Sequence, residues 1–176
     1  MREQGQRENI KIRFAGPKDV PILYSFICEL AEYERLRHEV ISMESDIYSA
    51  LFGERPVAEA LLAFYEDKPA GFALFFHSFS TFVGKPGIYL EDLYVKPEMR
   101  RKGIGRDLLA RVARIAVERK CGRLEWVVLN WNTPSIQFYE SLGAQPLDEW
   151  TVYRIVGENL EALAAEFEND ESVSLR

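Results

Sequence analysis

A stretch in the middle of the chain, residues 90–105, has the pattern of a strand that runs through a glycine turn into a helix. The strand reads LEDLYV, and the turn RRKGIG carries Gly103 and Gly105. Because glycine has no Cβ, the backbone can bend sharply there and bring its N–H groups close to an anion. Apolar residues then recur at helical spacing, at Ile104, Leu108, Leu109, Val112, Ile115 and Ala116. Outward-pointing amides at this helix start predict a phosphate site.

The turn is also locally basic, although the chain carries a net charge of −6. Its positive residues are Arg100, Arg101, Lys102 and Arg106. A dinucleotide fingerprint needs a third glycine where Leu108 stands, and a nucleotide-hydrolase loop needs a Lys-Ser/Thr pair that does not follow the glycines. Both of those classes are therefore disfavoured. A solvated basic flank at an ordinary helix start remains the structural alternative.

Composition predicts one globular domain. The chain has 176 residues, 47% of them hydrophobic, enough for one sizeable core. We expect the domain to cover residues 10–167, between flexible tails at 1–9 and 168–176. An excess of 28 acidic over 22 basic residues disfavours nucleic-acid binding and suits a cationic substrate.

The chain shows no sign of secretion or membrane attachment. Its polar N-terminus is neither a signal peptide nor an anchor, and no apolar run is long enough to span a bilayer. Two cysteines do not make a disulfide framework, and neither has a metal-ligand spacing. We expect a cytoplasmic protein without membrane contact.

Apolar periodicity gives an order of elements typical of an α/β protein with a mixed sheet and helices packed on it. The predicted strands are residues 10–14, 57–65, 70–79, 88–95, 124–129 and 152–156. The predicted helices begin at Pro17, Ser42, Ile104, Thr133 and Leu160, and glycines at 53, 122 and 143 mark three of their ends.

A second motif makes the prediction specific. Residues 130–143 read NWNTPSIQFYESLG, about thirty residues after RxxGxG. This pair of motifs resembles the GCN5-related N-acetyltransferases (GNAT). Within that superfamily, LAEYERLRHEV, GIYLEDLYVKPEMRRKGIG and NWNTPSIQFYESLGA are similar to the diamine (spermidine/spermine) N-acetyltransferases and their thialysine-acetylating relatives.

The resemblance implies a mostly antiparallel sheet with a parallel, V-shaped split that binds acetyl-coenzyme A as co-substrate, without a metal. It implies that the backbone of Leu93 and Val95 pairs with pantetheine, that Asn132 bonds the cofactor and that Tyr139 faces its sulfur. The implied pyrophosphate site is Arg100, Arg101, Lys102, Gly103, Ile104, Gly105 and Arg106. Asn132 as a helix cap and Tyr139 as a core aromatic are the structural alternatives.

The chemistry requires a proton acceptor and a proton donor. A target amine with a pKa near 10.4 arrives protonated and must lose a proton before it attacks the acetyl group directly in a ternary complex. Glu91 matches the family's proposed base. Tyr139 matches the acid that protonates the leaving thiolate, and backbone N–H groups of the same strand could stabilise the oxyanion. Glu91 and Asp92 are neighbours on a strand, so alternation predicts that at most one directly faces the reaction.

The acceptor is predicted to be a small primary amine held by acidic residues. Glu34 and Glu39 match acidic positions of the polyamine branch, Asp92 adjoins the base, and Trp150 resembles an aromatic at the substrate mouth. Each could instead be an ordinary surface or packing residue. Ser80-Thr81-Phe82 lacks the aspartate of polyamine-acetylating members. This favours a short diamine or a lysine-like amino acid such as thialysine.

Two other functions stay open: a protein acetyltransferase that acts on lysines or N-termini, and a coenzyme-A-binding sensor without turnover. The resemblance also implies a homodimer that pairs through residues 152–156.

Overall fold

The computed structural model describes residues 9–167, in which a mixed sheet is flanked by helices. The predicted tails fall almost entirely on residues 1–8 and 168–176, which lie outside the described part. The strands are β1 (Ile10–Phe14), β2 (Glu59–Tyr65), β3 (Lys68–Ser80), β4 (Lys85–Val95) and β5 (Leu124–Glu125), and the helices are α1 (Val20–Tyr33), α2 (Glu44–Phe52), α3 (Ile104–Glu118), α4 (Thr133–Glu140) and α5 (Gly157–Ala165).

The sheet has the strand order β1-β2-β3-β4-β5. The first three pairings are antiparallel, and β4 pairs with β5 in parallel. A parallel pair needs a long crossover, which α3 supplies between β4 and β5. The predicted fold class, a mostly antiparallel mixed sheet with helices, is therefore confirmed.

The parallel pair separates soon after it forms. Within residues 9–167, β4 and β5 are paired at Ile88 with Leu124 and at Tyr89 with Glu125. The strand predicted at 124–129 is thus too long, because a strand lasts only as long as its ladder has a partner. From Leu90 onward this edge of β4 is released from β5, which makes the predicted opening.

Helices cover both faces of the sheet. Leu62 and Phe72 pack with Leu23 and Phe26 of α1 in one buried cluster. Leu61, next to Leu62 on β2, is also fully buried and points to the opposite face, since side chains alternate along a strand. Helix α3 also packs against β2, β3 and β4, and its buried apolar stripe contains the six positions predicted from the sequence.

Two helix ends follow from local backbone geometry. Helix α3 ends at Glu118, before the predicted Gly122, because Lys120 adopts a left-handed conformation with φ 58°. Gly143 has φ 88° just after α4, as expected for a glycine that ends a helix. None of the helices within residues 9–167 combines the length and apolar character needed to cross a membrane.

The chain divides into two compact units between Trp131 and Asn132. The first contains the sheet and helices α1–α3; the second contains α4 and α5. The strand predicted at 152–156 is wrong, because these residues form no strand in the described part of the chain. Val152 and Tyr153 are exposed, at 73% and 90%. Their β propensity cannot substitute for a hydrogen-bonding partner.

Candidate active site

The glycine turn has the geometry of an anion-binding helix start. Gly103 is the residue before α3 and has φ 94°, a conformation that favours glycine. The first intrahelical bond follows at once, from the Asp107 amide to the Gly103 carbonyl at 3.0 Å. A Cβ on Gly105 would lie 3.6 Å from Cγ2 of Val95, so the turn lies against the end of β4. The first-turn amides and the positive end of a 15-residue helix therefore begin beside the released edge of β4.

Aromatic rings support two of the basic side chains of this turn. The Arg100 guanidinium lies 4.6 Å from the centre of the Tyr33 ring, and Arg100 Nε donates to the Val95 carbonyl at 3.0 Å. Lys102 Nζ lies 4.2 Å from the centre of the Tyr65 ring. Cation–π contacts of this kind orient a cation and leave its charge intact. Motif reasoning missed both tyrosines; the position of Tyr33 directly before Glu34 was the available signal.

The remaining basic side chains of the turn, Arg101 and Arg106, are exposed. They add positive charge beside the helix start, where an anion would be attracted.

The free edge of β4 presents the backbone of the two residues predicted to pair with pantetheine. Lys96 donates its amide to the Ala70 carbonyl at 2.9 Å, so the Lys96 amide faces the β3 side. Successive residues alternate along a strand, which turns the N–H and C=O of Leu93 and Val95 toward the opposite edge. The Arg100 bond to the Val95 carbonyl agrees with that direction. A linear ligand can therefore add to β4 as a further strand.

A β-bulge interrupts β4 at Glu91. Leu90 pairs with Phe75 and Asp92 pairs with Leu74, which leaves Glu91 as the extra residue on the β4 side. Before the bulge the amide of Ile88 faces β5, donating to the Arg123 carbonyl at 3.0 Å. After it, odd-numbered residues face that edge. The bulge therefore interrupts the regular alternation of β4 at Glu91, and which of Glu91 and Asp92 faces the reaction stays a prediction.

Three carboxylates of the first unit interact at the bulge. Burial, followed by the negative charges of Glu91 and Glu34, raises the pKa of Asp92 to about 7. Burial also raises the pKa of Glu34, which follows the last residue of α1. Glu91 itself is exposed. Mutual repulsion of this kind favours a bound cation and gives Asp92 the ability to hold a proton at neutral pH.

A partly buried hydrogen bond holds α1 against β4 at this point. The Tyr94 hydroxyl donates to Oε2 of Glu29 at 2.8 Å, and burial together with this bond raises the pKa of Tyr94. Tyr94 also packs in the core with Phe26. The carboxylates at the end of α1 and at the bulge are thereby carried by two elements locked to each other.

Glu39 and Trp150 were also predicted for the acceptor site, and that role stays a prediction for both. Glu39 is exposed on a single 3-10 turn, and its carboxylate lies 3.3 Å from Nε2 of His38. Trp150 belongs to the second unit and is 73% exposed. Of the two predicted acidic positions near α1, the structure brings Glu34 to the bulge.

The second unit carries the two remaining predicted site residues. Asn132 is the N-cap of α4: its side-chain oxygen accepts from the Ser135 amide at 3.4 Å. The capping alternative is therefore confirmed, and contact with a cofactor stays a prediction. Tyr139 lies on α4, with its ring 5.3 Å from that of Phe138. Its role as acid also stays a prediction.

The described part of the chain contains no evident metal-binding site. Across residues 9–167, no group of three His, Cys, Asp or Glu side chains is arranged to hold a metal ion. Both cysteines, Cys28 and Cys121, are free thiols.

The split sheet, the glycine turn and the released edge of β4 define an acyl-coenzyme-A-dependent transferase, and comparison with known proteins agrees. Residues 23–144 match the Acetyltransferase (GNAT) family. The chain belongs to this family and is an acetyl-transferring enzyme. GNAT acetyltransferases use acetyl-coenzyme A as co-substrate, which fits the anion-binding turn described above.

Individual relatives cover nearly the whole chain. An L-ornithine N5-acetyltransferase of Arabidopsis thaliana is 33% identical over an alignment of 204 positions, which covers 90% of this chain and 90% of that protein. A thialysine N-epsilon-acetyltransferase of Bos taurus is 38% identical over 166 residues, 88% of this chain and 97% of that protein. A solved integron cassette protein from the mobile metagenome of V. cholerae has a TM-score of 0.74 at 30% identity, covering 89% and 98% of the two chains.

Proposed function

We propose that this enzyme transfers the acetyl group of acetyl-coenzyme A to a primary amine of a small cationic acceptor. The acceptor class is an amino acid with a side-chain amine, such as ornithine or thialysine, or a short diamine or polyamine. The observation that carries the proposal is the cluster of three carboxylates, from Glu34, Glu91 and Asp92, at the point where β4 leaves β5. The names of the two relatives, an ornithine and a thialysine acetyltransferase, support the same acceptor class.

Proton transfer is the first chemical task. The acceptor arrives as an ammonium ion, which the three carboxylates attract, and must lose a proton to become a nucleophile. Glu91 is the proposed base, directly or through water, because the bulge exposes it at the opening. Asp92, with a pKa of about 7, is a second group able to accept a proton near neutral pH.

Acetyl transfer then follows by direct attack of the amine in a ternary complex. The cofactor would lie with its pyrophosphate at the turn that starts at Gly103 and its pantetheine along Leu93 and Val95. Asn132 is the proposed further cofactor contact, and Tyr139 the acid that protonates the leaving thiolate; these two roles are supported by the family motif. Direct transfer needs no acyl-enzyme, so Cys28 and Cys121 have no part in it.

The hairpin between β3 and β4 favours a short acceptor. Ser80 is 6% exposed, and its hydroxyl accepts from the Val83 amide at 3.3 Å. This hydroxyl is occupied within the hairpin, and Ser80-Thr81-Phe82 provides no carboxylate for a distant ammonium group. A long polyamine would therefore gain little here over a short diamine.

Exposed apolar residues in the second unit support a homodimer. Val152, Tyr153 and Ile155 form a β-prone segment without a ladder in the described residues. Pairing with a second copy would satisfy both its backbone and its apolar side chains. The proposed partners are thus acetyl-coenzyme A, a small amine and a second copy of the chain.

An amine panel tests the proposal. The purified enzyme is incubated with acetyl-coenzyme A and equal concentrations of ornithine, thialysine, lysine, putrescine, spermidine and a lysine-containing peptide, while thiol release is followed. We expect the small amines to give the highest kcat/KM. Faster turnover with the peptide would favour a protein acetyltransferase. Bound coenzyme A without thiol release on any acceptor would favour a sensor.

A further inference from the structure

The residue after Glu34 occupies an unusual backbone position. Helix α1 ends in two hydrogen bonds, from the Leu36 amide to the Ala31 carbonyl at 2.8 Å and from the Arg35 amide to the Glu32 carbonyl at 3.1 Å. This pair is a Schellman motif, whose left-handed residue is usually glycine. Here that residue is Arg35, with φ 63°. A long side chain in a disfavoured conformation suggests a function for the side chain itself.

Arg35 is also held in a defined place. Its guanidinium lies 5.7 Å from the centre of the Trp131 ring, and the Trp131 ring lies 5.9 Å from that of Tyr33. Tyr33 and Arg35 flank Glu34 in sequence, and both contact the Trp131 ring. The cation of Arg35 is therefore kept at the end of α1 that carries Glu34.

The guanidinium remains available to a ligand. Arg35 is exposed, and within residues 9–167 its guanidinium contacts the Trp131 ring and makes no ion pair with a carboxylate. A cation–π contact does not satisfy the N–H donors of a guanidinium, which form the fork that binds carboxylates bidentately. No acidic side chain in the described part of the chain pairs with that fork.

We propose that Arg35 binds the α-carboxylate of an amino-acid acceptor whose terminal amine is held by Glu34, Glu91 and Asp92. This inference rests on the proposed function and narrows the acceptor class. It predicts that diamino acids such as ornithine are preferred to the corresponding diamines. The three carboxylates attract both ammonium groups of ornithine but repel its α-carboxylate. The positive charge of Arg35 offsets that repulsion, so the charges of site and acceptor are complementary. Putrescine, which is ornithine without the carboxyl group, gains nothing from Arg35.

The test compares matched acceptors and matched variants. Arg35→Gly removes the guanidinium and places the preferred residue at the left-handed position, so its Tm should equal or exceed that of the unaltered enzyme. We expect the ratio of kcat/KM for ornithine to kcat/KM for putrescine to fall by about ten-fold or more, typical of a lost charge-assisted hydrogen bond. The KM for acetyl-coenzyme A should not change.

Arg37→Gln is the control, because Arg37 lies two residues further on and its charge acts on Tyr24. It should leave the acceptor ratio unaltered. Equal losses for ornithine and putrescine in Arg35→Gly, or the same ratio change in Arg37→Gln, would overturn the carboxylate subsite alone. Failure of the unaltered enzyme to acetylate either acceptor would instead overturn the proposed function, and this subsite with it.

Discussion

The hydroxyl of Tyr94 donates a 2.8 Å hydrogen bond to the carboxylate of Glu29, a partly buried contact that joins β4 to α1. Asp92 lies two residues before Tyr94, and Glu34 follows the last residue of the helix that carries Glu29. The bond thus fixes the distance between elements that carry like charges. The fold therefore holds the carboxylates of Asp92 and Glu34 close enough to repel each other. A bound cation would relieve that repulsion.

Replacing Asp92 by Asn should stabilise the protein at neutral and basic pH. Folding raises the pKa of Asp92 from 3.8 to about 7, so the folded state binds the proton more tightly than the unfolded state. The contribution of Asp92 to the free energy of unfolding is therefore fully present below about pH 4, and it is lost as the pH rises through 7. The Tm of Asp92→Asn should exceed that of the unaltered enzyme at pH 8, and the difference should vanish near pH 4. A constant difference across this range would contradict the assignment.

Glu34→Gln should raise the KM for the amine acceptor by about ten-fold, the cost of losing one charged partner. Glu39→Gln is the matched control, since Glu39 lies near His38 on an exposed turn. Steady-state kinetics at saturating acetyl-coenzyme A distinguish the two. Equal effects of the two substitutions would contradict the assignment of the acceptor to Glu34 in preference to Glu39.

Gly103→Val should weaken binding of coenzyme A strongly, because a branched side chain is strained at φ 94° and crowds the turn. Gly105→Ala should cost less affinity, since its Cβ would make ordinary contact with Val95 at 3.6 Å. Isothermal titration with coenzyme A measures both, and circular dichroism checks that each variant is folded. Unaltered affinity in folded Gly103→Val would refute the pyrophosphate assignment.

Tyr139→Phe should lower kcat by roughly ten-fold or more, within the range of general acid catalysis, with little change in cofactor affinity. A Tyr139 that only packs in α4 would tolerate this change, since phenylalanine keeps the ring. Thiol release under saturating substrates is the measurement. Undiminished turnover would remove Tyr139 from the acid role.

Tyr153→Asp combined with Ile155→Asp should convert a dimer into a monomer, because two charges would be buried at the pairing surface. Sedimentation equilibrium should give twice the chain mass for the unaltered protein and the single mass for the variant. A monomeric unaltered protein would exclude the dimer. Both residues are exposed in the second unit, so folding of the variant should not suffer.

Local patterns predicted the parts of the site that depend on local chemistry. Gly103 is recognisable because a sharp turn before a helix needs glycine, and the stripe of α3 is recognisable because burial follows the helical repeat. The helix cap, which was the structural alternative for Asn132, is confirmed for the same reason: its side chain bonds an amide three residues away.

Only the tertiary structure decided which residues meet across the chain. The bulge at Glu91 depends on the register between β3 and β4, and the repulsion between Asp92 and Glu34 depends on α1 docking against β4. The same limit explains the error at 152–156, where β propensity was clear but a pairing strand was needed. The sequence by itself determined the glycine turn before α3 and the enzyme family, because both are written in short motifs. The charge balance of the proposed acceptor site was decided by packing, because it arises between residues far apart in sequence.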